Sequence, residues 1–259
     1  MGLFDIFKKK TEPTFDNENR LETVLRKAAT EAAFRPEFYE KLLSEKLVVL
    51  TAKTTLPDGV QTLEKDTDVG IVSLQDGKIP VFTSTRKIFD KGIIKEEVPF
   101  LEMKGEDLFN LAKGATFVLN PYSDYGKELL PNEIESILNG TILTENHKKI
   151  VVEKETNVQI GQPAKYPTEI INSLKILFAS KQNVKKAYLG WIYDHSSGEA
   201  PHYIFGLDVE GDVQTITNEA GFTVKEYLKQ DEFVDFIKIE NKIGLSDYFV
   251  KQTKPFYER

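Results

Sequence analysis

The apolar residues near the start of the chain recur at the spacing of an α-helix. Between residues 19 and 32 they lie on one helical face, with Asn19 placed to cap the first turn. Pro36 suits the first turn of a second helix, which carries its apolar residues inward. A short apolar run at residues 47–52 then predicts a buried strand. This part of the chain is therefore predicted to pack helices against a β-sheet.

Two further apolar runs, at residues 79–84 and 115–121, each end in small polar residues and lead into a helical segment. Loops that a strand scaffold holds in place commonly carry binding groups, so the most informative surface is expected where these two strands end. The turn residues Gln75-Asp76-Gly77 also predict a β-hairpin that joins strands at residues 69–74 and 78–83.

The second half of the chain follows a different order of elements. Strand, helix and hairpin patterns succeed one another as β-α-β-β-α-β, which is the ferredoxin-like arrangement. The length of 259 residues suits two domains of ordinary size. The predicted fold class is α+β, with a tail at residues 1–18, a first domain at 19–145 built on a mixed sheet flanked by helices, and a ferredoxin-like second domain at 150–259.

Composition and charge remove several classes of function. The net charge of −7 works against binding of phosphate backbones, which draws on clustered lysine and arginine, so no nucleic acid is expected as a partner. The absence of cysteine excludes disulfides, thiolate nucleophiles and thiolate metal sites. No apolar run approaches the ~20 residues that cross a bilayer, and no signal peptide is recognised at the N-terminus, so a cytoplasmic location is predicted.

The N-terminal segment is the one place where membrane contact is expected. Leu3, Phe4, Ile6 and Phe7 precede Lys8–Lys10, a pattern that suits a membrane surface or the groove of a partner. One or two turns of helix bury little apolar area and nucleate poorly in water, which favours a mobile or locally packed tail instead.

The polar residues after the first of the two strands offer a candidate anion site. Thr83 and Ser84 would present hydroxyl groups at a helix start, and Arg86 would add positive charge. The competing interpretation is that Ser84 or Thr85 merely caps the short helix that follows.

The loop predicted at residues 120–130 offers a candidate wall of a pocket. Asn120 begins this loop, and Tyr122 and Tyr125 combine apolar rings with polar tips suited to contact with a protein partner. The same residues also suit a tight turn after a strand, which needs no ligand.

Catalytic and metal-binding patterns are largely missing. Asp194, His195 and Ser196 are the residue types of a hydrolase triad, but three consecutive residues do not converge as a triad requires. The spacing of the three histidines, which include His147 and His202, matches no zinc motif, and no phosphate-binding glycine motif occurs. No cofactor, no metal and no catalytic residue is therefore predicted.

Short motifs in both halves of the chain carry a family resemblance. They are the run at 79–84, Leu119-Asn120-Pro121 with Glu133, Ile134 and Leu138 after it, the segment 159–163, and Ala187-Tyr188-Leu189. These motifs resemble the SseB family, named for enhanced serine sensitivity, and the resemblance covers its N-terminal and C-terminal domains from about Leu21 to Ile239. It implies a bacterial cytoplasmic protein, with no family catalytic residues to carry over.

Together these features favour a non-enzymatic protein that binds another protein through the strand-end loops of its first domain. The residues expected to make the contact are Thr83, Ser84, Arg86, Asn120, Tyr122 and Tyr125. The alternative is a small-molecule or anion sensor that uses the first three of these. A third possibility, an acid–base hydrolase, would require a carboxylate and a histidine to converge in one cleft.

Overall fold

The structure, a computed structural model, describes residues 18–52, 70–144, 158–195, 199–240 and 244–259. The predicted N-terminal tail, including its candidate membrane contact, lies almost entirely outside these ranges. So do His147 and Ser196. Within the described ranges, no helix is both long and apolar enough to cross a membrane.

The first half of the chain builds a mixed sheet of five strands. These are β1 (Lys46–Leu50), β2 (Ile79–Phe82), β3 (Phe100–Lys104), β4 (Phe117–Leu119) and β5 (Lys127–Leu129). They lie in the order β3-β1-β2-β4-β5, and only β2 and β4 run parallel to each other. Because β2 and β4 are parallel neighbours, their carboxyl ends meet at the same edge of the sheet.

Helices flank both faces of this sheet. They are α1 (Arg20–Ala28), α2 (Arg35–Ser44), α3 (Thr85–Ile88), α4 (Gly105–Leu111) and α5 (Pro131–Leu138). Helices α1, α2, α4 and α5 bury their apolar residues against β1, β2, β4 and β5 in one hydrophobic core. The opposite face carries a smaller core, in which Val48, Leu50 and Phe82 pack with Ile88 of α3. The predicted caps are confirmed, since Asn19 caps α1 and Pro36 lies in the first turn of α2.

The hairpin predicted over residues 69–83 is wrong for its described part. Residues 70–78 contain no strand, and Ile71 makes a single β-bridge to Thr51. Strand β2 pairs instead with β1 and β4, which come from distant parts of the chain. The turn at residues 75–77 is present as predicted. Strand β2, however, is buried on both faces, and pairing with two strands from distant parts of the chain stabilises it more than pairing with one adjacent strand would.

Strand β5 was missed inside the loop predicted at 120–130. It is three residues long, and only Leu129 is buried, so the segment shows no extended apolar alternation. Its place in the sheet comes from antiparallel pairing with β4.

The second half builds another five-stranded sheet with helices on both faces. Its strands are β6 (Val158–Gly161), β7 (Val184–Asp194), β8 (His202–Val209), β9 (Val234–Lys238) and β10 (Tyr257–Glu258), and its helices are α6 (Thr168–Ser180), α7 (Val213–Val224) and α8 (Leu245–Gln252). Strands β7, β8 and β9 lie side by side, and β6 and β10 pair with different parts of β7. Helices α6 and α7 enclose the main core on one face.

The predicted β-α-β-β-α-β order is present from β6 to β9, which confirms the α+β fold with two domains. The predicted ferredoxin-like pairing is wrong, because that fold separates the two strands of each βαβ unit by another strand, whereas β8 and β9, joined by α7, are direct parallel neighbours. Helix α8 follows β9 in the chain and covers the other face of this sheet, where Phe249 packs over Gly206. A Cβ atom at Gly206 would lie 2.8 Å from the Phe249 ring, so this contact requires glycine.

The two domains contact each other through α2 and α7. The rings of Tyr39 and Phe222 meet edge to face with centroids 6.1 Å apart. Nearby, Arg35 and Glu226 form an ion pair of 2.7 Å. The helices of the first core therefore pack directly on a helix of the second.

Candidate binding site at the strand ends of the first sheet

Two loops leave the shared edge formed by β2 and β4. We call residues 83–92 and 120–126 the strand-end loops. They are joined by side-chain contacts that include one from the Ser123 hydroxyl to Asp90 at 2.5 Å and one between Lys91 and Asp124 at 2.6 Å. Lys87 also pairs with Asp90 at 3.0 Å. The predicted meeting of two strand ends at one surface is therefore present in the structure.

Asn120 links the two strand ends inside the protein. Its Oδ1 accepts a hydrogen bond of 2.9 Å from the backbone N–H of Thr83, and its Nδ2 donates to the Thr83 hydroxyl at 3.0 Å. Asn120 is buried and has a φ of +48°, a left-handed conformation that asparagine tolerates better than most residues. The side chain thus supplies a connection that the backbone of β2 and β4 does not make.

Glu22 of α1 is the centre of the polar network behind the loops. Its Oε1 accepts hydrogen bonds from the Thr83 hydroxyl at 3.0 Å and the Ser84 hydroxyl at 2.7 Å, and its Oε2 accepts one from the Arg86 guanidinium at 2.7 Å. The Glu22 side chain is only 2% exposed. Three donors, one of them positively charged, offset the cost of burying this carboxylate.

Sequence reasoning did not identify Glu22. The signal that could have found it is its position three residues after Asn19, the spacing of a capping box. Asn19 does cap the helix by accepting a hydrogen bond of 2.8 Å from the Glu22 backbone N–H. The Glu22 carboxylate, however, turns toward the strand ends, a direction that depends on how α1 packs on the sheet.

A polar cleft of about 400 Å³ lies between α1 and the strand-end loops. Each charged side chain that lines it has an opposite charge beside it, as in the pairs already described and in the pair between Glu18 and Arg26 at 3.1 Å. Asn120, Arg86 and Tyr125 line the cleft as well. The cleft is therefore a surface of paired charges with one aromatic ring.

The predicted site residues divide into three positions. Arg86, Asn120 and Tyr125 line the cleft, whereas Thr83 and Ser84 lie behind it on Glu22. Tyr122 packs on Phe82 in the smaller core, with ring centroids 5.7 Å apart. Ser84 does occupy the N-cap position of α3, but its side chain makes no capping hydrogen bond, and its hydroxyl donates to Glu22.

A histidine and a carboxylate meet in the second domain rather than at this cleft. His202 Nε2 lies 2.9 Å from Asp235, and His202 Nδ1 lies 2.9 Å from the carbonyl oxygen of Ala200. Both ring nitrogens face acceptors, which the doubly protonated imidazolium satisfies. Burial acts to lower the pKa of His202, but the hydrogen bonds to Asp235 and Ala200 and the nearby negative charges outweigh it and raise the pKa above its usual value.

This arrangement predicts a pH-dependent contribution to stability. A raised pKa in the folded state means that the contribution is fully present below the usual histidine pKa and is lost as pH rises through the folded-state value. The difference in unfolding free energy between the wild-type chain and His202→Gln should therefore be larger at about pH 6 than at about pH 9. Urea unfolding at the two pH values measures it, and an equal difference at both would contradict the prediction.

His195, the histidine of the candidate triad, lies with its ring centroid 4.1 Å from that of Tyr193. Among the residues that the structure describes, no group of three or more histidine, aspartate or glutamate side chains could hold a metal ion.

Comparison with known proteins places the chain in a family. The model of the SseB protein N-terminal domain matches residues 21–136, and that of the SseB protein C-terminal domain matches residues 152–259. The chain is 30% identical over 248 residues to proteins named Protein SseB from Escherichia coli (strain K12) and Shigella flexneri, which covers 94% of this chain and 93% of each relative. No solved structure matches it. These matches over nearly the whole length confirm the resemblance seen in the motifs: the chain belongs to the SseB family.

Proposed function

We propose that this SseB-family chain is a non-enzymatic protein that binds another protein through its strand-end loops. The observation that carries the proposal is a set of exposed apolar side chains on these loops and directly after them. Phe89 is 42% exposed, Ile93 is 60% exposed and Tyr125 is 37% exposed. Exposed aromatic and aliphatic groups surrounded by polar residues are typical of protein interaction surfaces.

The loops that carry these side chains are held in place before any partner binds. The contacts of Asp90 with Ser123 and of Lys91 with Asp124 join one loop to the other next to Phe89 and Tyr125. A surface that is already ordered loses less conformational entropy on association, which increases affinity. The paired charges around the cleft provide a polar rim for the same surface.

The contacts of Glu22 favour protein binding over anion sensing. The hydroxyl groups of Thr83 and Ser84 and the guanidinium of Arg86 all donate to its carboxylate. A bound anion would have to displace this buried carboxylate or lie close to its negative charge, and both cost free energy. A partner that contacts the outer side of the loops meets neither cost.

The contacts of His202 argue against acid–base hydrolysis in the second domain. A general base needs a ring nitrogen within reach of the proton that it removes. Both nitrogens of His202 are hydrogen-bonded, one to Asp235 and the other to the Ala200 carbonyl. The pair of His202 and Asp235 is better explained as a structural contact between β8 and β9.

Substitution of Tyr125 or Ile93 is expected to weaken partner binding without unfolding the protein. A partner would first be isolated with the wild-type chain and then purified. Truncation of an aromatic or aliphatic anchor at an interface costs about 2 kcal/mol of binding free energy or more. Tyr125→Ala and Ile93→Ser should therefore each weaken binding by about tenfold or more. Biolayer interferometry with the purified partner measures this change.

Ile176→Ser provides the matched control. Ile176 is an exposed isoleucine on α6 of the second domain, 37% exposed, so its loss removes comparable apolar surface away from the strand-end loops. The proposal requires this variant to bind as the wild type does. Unchanged affinity of both Tyr125→Ala and Ile93→Ser would show that the partner binds elsewhere.

A further inference from the structure

The second domain contains a larger cleft that the proposed function does not use. It measures about 740 Å³ and lies where the loop before α6, the strands β7 and β8, and the loop before β9 come together. Its lining comes from residues 165–170, Trp191, residues 200–203, residues 227–229 and residues 231–233.

Aromatic rings form the walls of this cleft. Trp191 and Tyr203 lie directly opposite each other on β7 and β8, with ring centroids 4.8 Å apart and planes at 77°. Tyr166 lines the cleft and is 52% exposed, and the Phe233 ring lies tilted at 40° to that of His202 with centroids 4.1 Å apart. Perpendicular rings create ridges and grooves into which a flat, rigid apolar group can insert.

Hydrogen bonds hold the cleft in shape. The Tyr203 hydroxyl donates to the carbonyl oxygen of Lys165 at 3.3 Å, which ties the loop before α6 to β8. Gln162 donates to the carbonyl oxygen of Leu189 at 2.9 Å and ties the same loop to β7. His202 joins β8 to β9 through Asp235. The aromatic walls are thus attached to the sheet and need little rearrangement to receive a ligand.

The charges around the cleft favour a basic ligand. Its lining includes the carboxylates of Glu169, Asp231 and Glu232 against the ammonium groups of Lys165 and Lys229, and the charge of His202 is balanced by Asp235. Lys229 is paired with Glu232 at 3.5 Å, so its charge is largely balanced. The net charge of −7 on the whole chain acts in the same direction, because it attracts cationic partners at long range.

We propose that this cleft binds an extended proline-rich peptide segment that carries a basic residue. Such segments form a polyproline II helix, which has no internal hydrogen bonds and docks in grooves lined by aromatic side chains. Proline lacks a backbone N–H, so the donors to the peptide carbonyl groups come from the receptor. The indole N–H of Trp191 is hydrogen-bonded to no other residue in the part of the chain that the structure describes, and it is one such donor. The basic residue pairs with Asp231 or Glu169 at the rim.

The sole tryptophan of the chain makes the test direct, because fluorescence excited selectively at tryptophan then reports on this cleft alone. The probe is a synthetic proline-rich peptide that ends in arginine. Titration into the full chain is expected to give a saturable change in Trp191 emission. Tyr166→Ala and Asp231→Lys should each weaken the binding by about tenfold. Val250→Ala, which alters an exposed residue of α8 on the opposite face, should leave it unchanged.

Two control peptides and one further variant complete the experiment. A peptide with alanine in place of proline tests the polyproline conformation, and one with glutamate in place of arginine tests the charge. Equal binding of either control, or no change in emission with the proline-rich peptide, would overturn the proposal. Tyr125→Ala should bind the peptide as the wild type does, so failure at this cleft is distinguishable from failure at the strand-end loops.

Discussion

The Glu22→Ala variant is expected to lose about 2–3 kcal/mol of unfolding free energy. The substitution removes the acceptor of three hydrogen bonds, and a bond to a charged group contributes about 1.5–3 kcal/mol, although contributions of bonds that share one carboxylate do not add. Arg86 is nearly half exposed, so water can solvate its guanidinium once Glu22 is gone, and the loss is smaller than for a fully buried ion pair. The hydroxyl of Thr83 has no such access to water because Thr83 is buried.

Urea unfolding monitored by circular dichroism measures this loss, and two further variants interpret it. Glu22→Gln keeps the volume and one acceptor but directs an amide N–H group toward Arg86, so we expect a loss of about 1–2 kcal/mol. Glu37→Ala breaks the exposed ion pair with Arg20 and should change stability by no more than about 0.5 kcal/mol. If Glu22→Ala unfolded at the same urea concentration as Glu37→Ala, the central role of Glu22 would be refuted.

The Asn120→Ala variant is expected to be destabilised by about 3 kcal/mol. Two effects add. First, the buried backbone N–H of Thr83 loses its acceptor, which costs about 1–3 kcal/mol. Second, alanine is destabilised by about 1–2 kcal/mol in the left-handed conformation at φ +48°. Both effects arise at Asn120, because its side chain accepts the hydrogen bond from Thr83 and its backbone adopts the left-handed conformation.

Asn120→Gly separates the two effects. Glycine adopts a positive φ without steric cost but cannot hydrogen-bond to Thr83, so this variant should be about 1 kcal/mol more stable than Asn120→Ala while remaining less stable than the wild type. Equal stability of the glycine and alanine variants would mean that backbone strain contributes nothing. Equal stability of the glycine variant and the wild type would mean that the side-chain bonds contribute nothing.

The helices were largely predictable because their ends depend on neighbouring residues. Asn19 caps α1 with its own side chain, and Pro36 suits the first turn of α2. The helical spacing of apolar residues predicted the buried face of α1 in the same way. These signals act within about one helical turn, so they can be recognised in the sequence without knowledge of the fold.

Strand partners were not predictable in this way. Residues 75–77 form a turn as expected, with the Leu74 N–H donating to the Lys78 carbonyl at 2.8 Å, yet no hairpin follows within the described residues. The neighbours of β2 come from β1 and β4, and those of β7 include both β6 and the distant β10. The alternation of apolar and polar residues in a strand shows which face is buried but not which strand lies beside it. The choice of neighbour therefore depends on the packing of the whole sheet.

By itself, the amino-acid sequence determined the two-domain α+β architecture, the SseB-family relationship, the starts of α1 and α2 and the polar residues at the two strand ends. Only the tertiary structure decided that Glu22 receives the hydroxyl groups of Thr83 and Ser84, that Tyr122 packs inward while Tyr125 faces the cleft, and that aromatic residues of the second domain converge. The physical reason is how far apart along the chain the interacting residues lie. Capping, turn formation and helical spacing are set by residues close together in the chain, whereas a buried carboxylate or an aromatic cleft exists only when segments far apart in sequence pack against one another.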